Sequence, residues 1–366
     1  MTPHPGSASR SAPQMEAPPP IRLMIVDDSP IARAVLSRML SAHKEFEIVA
    51  LAGNAGEALD ALTSVAVDIV LLDVEMPGTS GLEALPEILR RGNGARVLIV
   101  SSLAEDGAAS TVKALALGAA DTLPKPGTGN FGGRFSEVLA ERLRRIGRGH
   151  REAPHAAVPE GPPLTLRAMP DARLSCLALG ASTGGLHALG EFLKTLPPRI
   201  DAPILITQHL PGVFMPFFAR QIEAASGRTA SVAEEGQPLR PDVILIAPGD
   251  AHLTLHRTGS RVCVKLDRAP AASGCLPSVD PMFASLGETY GKAGAGVVLS
   301  GMGRDGLAGS SRLIEQGGAV IVQNRATSAV WGMPRAVAEA GLASAVLAPS
   351  DLARRIASRT EGGLCR

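Results

Sequence analysis

The chain has 366 residues, a formal net charge of +1 and 3% aromatic residues. This length suits two domains that each bury a core, whereas the balanced charge and the scarcity of aromatic side chains argue against a nucleic-acid or membrane-surface protein. The four cysteines show no CxxC pairing and no metal-ligand spacing. No apolar run reaches the roughly 18 residues of a membrane span. We therefore expect a cytoplasmic protein with reduced thiols.

After a leader rich in Pro, Ser and Ala (residues 1–19), which we expect to be disordered, the chain alternates between strand-like and helix-like segments. Buried-strand runs occur at 21–26, 47–51, 68–72, 96–100 and 119–123. Helical patterns separate them, such as the apolar face over residues 30–40. Five β/α units of this kind predict a parallel sheet with helices on both faces, over residues 20–143.

Polar side chains follow the strands of this predicted sheet. They are Asp27, Asp28, Asp73, Ser101 and Lys125. Because ligands bind at the carboxyl ends of parallel strands, we expect these side chains to share one crevice. Three clustered carboxylates repel one another unless a hard cation joins them, and oxygen ligands suit Mg²⁺. One carboxylate can then attack a phosphoryl group while the lysine and the hydroxyl contact its oxygens.

Residues 20–143 resemble the receiver domain of two-component response regulators, which has a flavodoxin-like fold. The resemblance implies that Asp73 accepts a phosphoryl group from a histidine kinase of the chemotaxis type. It makes Ser101 and Lys125 the switch hydroxyl and lysine. It also implies an Mg²⁺ site in which Asp28, Asp73 and the Glu75 carbonyl are ligands and Asp27 is a supporting carboxylate. Ser80 departs from the family pattern, in which Asp is frequent before the glycine.

Residues 144–172 are rich in Pro, Gly and Arg and lack an apolar period, which predicts a semi-extended linker. A solvated linker explains its basic cluster better than a nucleic-acid contact does. No helix-turn-helix pattern follows it, so we expect no nucleic-acid partner.

The alternation of strand-like and helical runs over residues 173–360 predicts a second α/β domain. We expect it to be doubly wound and mostly parallel, with antiparallel structure around 243–265. Ser182, His209 and Asp305 each follow a strand-like run. A serine becomes nucleophilic when a histidine takes its proton and a carboxylate stabilises the imidazolium, and the Met302 N–H can supply an oxyanion hole. On spacing alone, a structural histidine and a turn aspartate are the commoner explanations.

Six ordered motifs make residues 173–345 resemble the catalytic domain of the CheB family of protein-glutamate methylesterases. They are Gly180–Gly185, Gln208–Pro211, Ala247–Gly249, Pro277–Asp280, Gly301–Gly306 and Gly332–Pro334. With the receiver, the resemblance implies a phosphorylation-activated serine hydrolase of chemotaxis that acts on methyl-accepting chemoreceptors. It would hydrolyse glutamate methyl esters and deamidate certain glutamines on their cytoplasmic helices.

The same resemblance assigns roles to individual residues of the second domain. Ser182 is implied as the nucleophile, His209 as general base and acid, and Asp305 as the orienting carboxylate. Thr183 and the Met302 N–H are implied to lie beside the reacting carbonyl, with no cofactor in this domain. Leu276, Asn324 and Arg325 depart from the family pattern at positions where a change can alter the grip on an acidic receptor helix. A receptor-like array outside standard chemotaxis is therefore an alternative substrate.

Two other functions compete with this hydrolase. A dinucleotide-binding oxidoreductase would use residues 180–185 as a phosphate loop, but it needs an acidic residue at the end of the next strand, which ends in Gln208 and His209. A phosphate-accepting adaptor without catalysis is the other alternative, and the Ser-His-Asp set argues against it. We expect a monomer in which the unphosphorylated receiver covers the Ser182 crevice.

Overall fold

The computed structural model describes residues 19–101, 105–125, 133–151 and 164–360. Residues 1–18 of the predicted leader and residues 152–163 of the predicted linker lie outside these ranges. Within them, no helix combines the length and the apolarity that crossing a bilayer requires.

A five-stranded parallel sheet forms the N-terminal unit, as predicted. Its strands are β1 (Ile21–Val26), β2 (Phe46–Ala52), β3 (Ile69–Leu72), β4 (Arg96–Ser101) and β5 (Asp121–Pro124). Its helices are α1 (Pro30–Ser41), α2 (Ala55–Ser64), α3 (Gly81–Arg91), α4 (Glu105–Ala116) and α5 (Gly133–Arg151). The strand order is β2-β1-β3-β4-β5, so the ligand crevice of such a sheet opens between the ends of β1 and β3.

Successive side chains of β1 point to opposite faces of this sheet, and helices cover both faces. Leu23 and Ile25 pack in one apolar cluster with α1 and α5. Met24 and Val26 pack in another cluster with α2, α3 and α4. Both faces of the strand are therefore buried, which explains its continuous apolar run.

Ser80, the departure noted in the receiver pattern, caps the start of helix α3. Its hydroxyl accepts a hydrogen bond from the Glu83 N–H (3.2 Å), and the Glu83 carboxylate accepts one from the Ser80 N–H (2.9 Å). This reciprocal capping box satisfies two amide groups at the helix start, so a serine is well suited to this position.

Helix α5 extends further than predicted. Residues up to Arg151 are helical, so the expected semi-extended conformation is wrong for residues 144–151. Leu139, Leu143 and Ile146 are buried and continue one helical face against β1. The apolar periodicity is hard to recognise in the sequence, because Ile146 is surrounded by arginines and glycines.

The second unit contains a seven-stranded, wholly parallel sheet and a separate antiparallel hairpin. Its strands are β6 (Cys176–Ala181), β7 (Ile204–Gln208), β8 (Ala230–Val232), β9 (Ile244–Ile246), β10 (His252–Thr258), β11 (Arg261–Asp267), β12 (Gly294–Val298), β13 (Ala319–Gln323) and β14 (Val346–Leu347). Its helices are α6 (Gly185–Thr195), α7 (Met215–Ser226), α8 (Val279–Tyr290), α9 (Leu307–Glu315), α10 (Met333–Glu339) and α11 (Pro349–Ala357). The predicted antiparallel structure is confirmed for β10 and β11, whereas β9 is parallel to its neighbours.

Helix α6 buries one apolar face against the sheet. Leu186, Leu189, Phe192 and Leu193 are all buried. Complete burial of such side chains stabilises a fold by about 1.5–3 kcal/mol each, so this face holds the start of α6 firmly against the sheet.

The strand order of the large sheet determines where its functional residues meet. The order is β14-β13-β12-β6-β7-β9-β8, so β6 lies between β7 and β12. The chain leaves β6 towards β7 on one side and later returns to β12 on the other. This reversal creates a crevice at the carboxyl ends of these three strands.

The two units pack against each other beside this crevice. Helix α4 contacts α6 and α7. The Gly184 N–H donates to the Ala120 carbonyl (2.7 Å), and a ring nitrogen of His187 lies 3.1 Å from the Ala116 carbonyl oxygen. The first unit therefore lies directly on the turn that follows β6.

Candidate functional site

Ser182 lies in the turn between β6 and α6 and lines the crevice. Its N–H donates to the Ser300 carbonyl (3.0 Å), and its carbonyl accepts a hydrogen bond from the Gln208 amide nitrogen (2.9 Å). Gly184 has a φ of 72°, and a Cβ there would overlap that of Ala329. The backbone of the turn is thus fixed by its neighbours on both adjacent strands.

Gly301 allows the end of β12 to approach this serine. A Cβ at residue 301 would lie 2.9 Å from Ser182 Cβ, closer than side chains tolerate. Thr183 and Met302 line the same crevice. In the described part of the chain, the Met302 N–H donates to no protein acceptor, so it is free to bind an oxyanion.

His209 and Asp305 are joined across the crevice. His209 Nε2 lies 2.7 Å from Asp305 Oδ2. The buried carboxylate also accepts hydrogen bonds from the Ser278 hydroxyl (2.6 Å) and the Val279 N–H (2.8 Å). Nδ1 is therefore the ring nitrogen that Asp305 does not occupy. No hydrogen bond joins it to the Ser182 hydroxyl among the described residues, and such bonds often tighten only around substrate.

The two groups favour each other's charged forms. Burial opposes the imidazolium, but contacts with Asp305 and Cys275 outweigh burial and raise the pKa of His209 from 6.5 to about 9. Burial also opposes the carboxylate, yet hydrogen bonds from His209, Ser278 and Val279 hold the pKa of Asp305 well below 3.8. The arrangement stabilises the ion pair that forms when His209 accepts a proton.

Both units form the walls of this crevice, whose volume is about 1240 Å³. Asp121, Arg142 and Arg145 of the first unit lie opposite Ser182 and His209. The Thr183 hydroxyl donates to Asp121 Oδ2 (3.2 Å). Arg142 Nη1 lies 2.9 Å from Asp121 Oδ1 and also donates to the Thr122 carbonyl (2.6 Å).

Sequence reasoning gave no role to Ser278, which is fully buried beside Asp305, or to Asp121 and Cys275, which line the crevice. Ser278 belonged to a recognised motif, but nothing local indicated that it binds Asp305. Asp121 and Cys275 come close to the crevice only through tertiary structure. His252 has a structural role, because Nδ1 accepts a hydrogen bond from the Ser278 N–H (2.9 Å) and Nε2 lies 2.9 Å from the Ala269 carbonyl oxygen.

The departures from the family pattern also have definite positions. Leu276 lines the crevice and is 50% exposed, so it presents an apolar surface there. The Asn324 carboxamide oxygen accepts hydrogen bonds from the Thr327 N–H (3.1 Å) and hydroxyl (2.7 Å), which is a turn-forming role.

The carboxylates predicted for the first unit also converge. Oxygens of Asp27, Asp28 and Asp73 all lie within 4.8 Å of one another. Lys125 Nζ lies 2.6 Å from Asp73 Oδ2 and 3.0 Å from Asp27 Oδ2. Burial raises the pKa of Asp73, although Lys125 partly offsets this.

These residues fit a hard divalent cation. Asp27 Oδ2 is buried and, among the residues that the structure describes, accepts no hydrogen bond despite its ion pair with Lys125. The Glu75 N–H donates to Asp73 Oδ1 (3.2 Å), which places residue 75 beside the cluster. Oxygen donors with net negative charge are the set that Mg²⁺ prefers.

Ser101 is oriented differently from Lys125. Its buried hydroxyl lies 2.6 Å from Thr111 Oγ1 on helix α4 and is hydrogen-bonded there rather than to the carboxylates. The hydroxyl of the predicted switch residue is therefore connected to the helix that packs against α6 and α7.

Comparison with protein families gives two matches along the chain. Residues 177–356 match the model of the CheB methylesterase, and residues 23–130 match that of the response regulator receiver domain. The two matches cover the two units of the structure in the predicted order.

Individual proteins resemble the chain over most of its length. The protein-glutamate methylesterase/protein-glutamine glutaminase 2 of Caulobacter vibrioides is 42% identical over 343 residues, which cover 93% of this chain and 99% of that protein. The corresponding protein 1 of Rhodospirillum rubrum is 37% identical, with 91% and 94% covered. The crystal structure of the Thermotoga maritima CheB methylesterase catalytic domain is 33% identical, with a TM-score of 0.49, 50% of this chain covered and 98% of that one.

Proposed function

This chain belongs to the CheB methylesterase family, and we propose that Ser182, His209 and Asp305 form its catalytic triad. As a member, it is a hydrolase of the protein-glutamate methylesterase/protein-glutamine glutaminase class with a receiver domain. We infer that its substrates are glutamate methyl esters, and certain glutamines, on the helices of methyl-accepting chemoreceptors.

One observation carries the triad assignment. His209, held by Asp305 at 2.7 Å, lines the same crevice as Ser182, and the three residues follow adjacent strands of one sheet. A nucleophile, a base and a buried carboxylate in this relation are what acyl transfer requires. The oxidoreductase alternative has no comparable support, because neutral Gln208 and His209 follow the strand where a ribose-binding acid is needed.

In the first half of the reaction, Ser182 Oγ attacks the ester carbonyl while His209 Nδ1 takes the hydroxyl proton. Asp305 stabilises the resulting imidazolium. The Met302 N–H and the Thr183 hydroxyl face the oxyanion of the tetrahedral intermediate, and one such donor contributes on the order of 10²–10³ in rate. Collapse of the intermediate breaks the ester C–O bond, and His209 gives its proton to the departing methoxide, which leaves as methanol.

In the second half, water attacks the acyl-enzyme and His209 again acts as the base. The products are free Ser182 and a glutamate carboxylate. A glutamine side chain follows the same route with ammonia as the leaving group, so one crevice serves both substrates.

Asp73 is the phospho-acceptor that we propose for the receiver. Asp27, Asp28 and Asp73, with the carbonyl of Glu75, would hold Mg²⁺, which neutralises charge as a phosphoryl group approaches. Lys125 contacts Asp73 at 2.6 Å and is placed to pair with phosphoryl oxygens. A histidine kinase supplies the phosphoryl group in this proposal.

We further propose that the receiver inhibits the unphosphorylated enzyme. It forms one wall of the crevice. Its Asp121 carboxylate accepts the hydrogen bond of the Thr183 hydroxyl, which is then not available to the oxyanion. Phosphorylation adds charge at Asp73 and favours a hydrogen bond from Ser101 to the phosphoryl group. This change shifts helix α4, which is hydrogen-bonded to Ser101, and breaks the contact between Asp121 and Thr183.

Methanol release from methylated receptor cytoplasmic fragments tests this function. The intact protein is compared with Ser182→Ala and Asp73→Ala, each with and without a small-molecule phosphodonor. We expect stimulated release from the intact protein, none from Ser182→Ala, and unstimulated release only from Asp73→Ala. Phosphorylation of Asp73 without release from any receptor fragment would instead favour the adaptor function or another ester. A response of Asp73→Ala to the phosphodonor would refute the proposed phosphorylation route.

A further inference from the structure

Cys275 lies in the loop between β11 and α8 at the edge of the crevice. Its thiol sulfur, a ring nitrogen of His209 and a carboxylate oxygen of Asp305 all lie within 4.8 Å of one another. The thiol forms no disulfide and is half-buried, and it lines the crevice together with His209. The proposed esterase chemistry does not use this sulfur.

A thiolate, an imidazole and a carboxylate are the donors of a borderline-soft cation. Zn²⁺ takes such ligands in tetrahedral sites, where the ligand atoms lie roughly 3–4 Å apart and water can fill the fourth position. The three ligand atoms lie within 4.8 Å of one another, and small side-chain shifts that lengthen the 2.7 Å His209–Asp305 contact would bring them to such spacing. The receiver cluster differs, because its three carboxylates offer only oxygen and suit a hard ion.

The surroundings of Asp305 favour such a site. Its carboxylate is held by the Ser278 hydroxyl and the Val279 N–H, which would orient it towards a cation as outer-shell partners do in metalloproteins. The Cys275 N–H donates to the Ser273 hydroxyl oxygen (3.3 Å), which restrains the loop that carries the thiol. The crevice is open at Cys275 and His209, so an ion would enter from that side and reach the buried Asp305 behind them.

We propose that His209, Cys275 and Asp305 form a binding site for a thiophilic divalent cation such as Zn²⁺, and that its occupation reversibly inhibits the enzyme. Binding releases the thiol proton, and any proton on the coordinating ring nitrogen, to water. Coordination draws His209 and Asp305 to the metal and removes the geometry in which His209 serves Ser182. The binding site stands on this geometry alone, whereas the inhibition rests on the proposed function.

Cadmium binding to the full-length protein tests the site directly, because a cadmium–thiolate bond produces ultraviolet charge-transfer absorption. The matched variants are Cys275→Ser and Cys263→Ser, since Cys263 is a second half-buried free thiol. We expect a saturable band in the intact protein and in Cys263→Ser, and its loss in Cys275→Ser. His209→Gln removes a direct ligand and should weaken cadmium binding by at least about 10- to 100-fold, because loss of a residue that only supports a ligand already has an effect of that size.

Inhibition is measured in parallel as methanol release with added Zn²⁺ and its reversal by a chelator. Cys275→Ser should need at least about tenfold more Zn²⁺ for the same inhibition, while Cys263→Ser behaves as the intact protein. A band that persists in Cys275→Ser, or equal inhibition of both variants, would overturn the proposal. If the metal-free protein released no methanol, only the proposed function would be contradicted. The proposed metal site would still be tested, because the cadmium absorption band does not depend on catalysis.

Discussion

The Thr183 hydroxyl, one residue after the proposed nucleophile, donates to Asp121 Oδ2 at 3.2 Å, and Asp121 begins the last strand of the other sheet. The neighbouring bond from the Gly184 N–H to the Ala120 carbonyl (2.7 Å) reinforces this contact. The start of α6 is thus capped by groups of the receiver. A carboxylate is favourable at this position, because the N-terminal end of a helix carries partial positive charge.

Replacing Asp121 should therefore activate the unphosphorylated enzyme. Asp121→Ala removes an acceptor worth about 1 kcal/mol in this partly exposed setting, which corresponds to about a fivefold rise in basal methanol release. Asp60→Ala, on the exposed side of α2, is the matched control and should leave the basal rate unchanged. A basal rate of Asp121→Ala equal to that of the control would mean that this contact does not restrain the crevice.

Thr111 should set the sensitivity of the switch. Its hydroxyl lies 2.6 Å from that of Ser101 and is hydrogen-bonded to it. Thr111→Val leaves the Ser101 hydroxyl without this partner, so less phosphodonor should give half-maximal methanol release. Phosphate incorporation is measured alongside, and Ser101→Ala should incorporate phosphate with little stimulation. An unchanged phosphodonor requirement in Thr111→Val would exclude this hydrogen bond from the switch.

Ser278 should position Asp305 without reacting itself. Its hydroxyl donates to the buried carboxylate at 2.6 Å, and a hydrogen bond to a charged group contributes about 1.5–3 kcal/mol. Ser278→Ala should lower kcat by about tenfold, whereas Asp305→Asn should lower it on the order of 10⁴-fold. Circular dichroism checks that both variants are folded. Equal losses in the two variants would contradict a purely positioning role for Ser278.

The pH profile should report the raised pKa of His209. The base acts in its neutral form, so kcat/KM should rise with pH up to about 9 and then level off. Asp305→Asn removes the main group that favours the imidazolium, so the rise should move towards 6.5. A profile of the intact enzyme that is already level at pH 7 would show that His209 is not held in its charged form.

The same shift has a consequence for stability. Because the pKa of His209 is higher in the folded chain than in the unfolded chain, its interactions stabilise the fold fully below pH 6.5. That contribution is lost as the pH rises through about 9. Denaturant unfolding at several pH values measures the free energy of unfolding of the intact protein and of Asp305→Asn. The difference between the two free energies should become smaller at high pH.

The sequence by itself determined the two α/β units and the residues that end their strands. Apolar runs of strand length followed by Asp27, Asp73, Ser182 and His209 are local features, and parallel topology brings such ends to one edge. The end of α5 was missed, because its apolar face past residue 143 depends on single residues such as Ile146 among arginines. The family motifs indicated the hydrolase chemistry through recognised residue patterns.

Only the tertiary structure decided which groups surround the proposed catalytic residues. Asp121 reaches Thr183 across 62 positions of sequence and Ser278 reaches Asp305 across 27, so no local pattern encodes either contact. Cys275 has no ligand spacing in the chain, yet it lies beside His209 because the β11–α8 loop folds over the end of β7. Sequence periodicity reports which face of an element is buried, whereas partners between distant loops depend on how the two sheets pack.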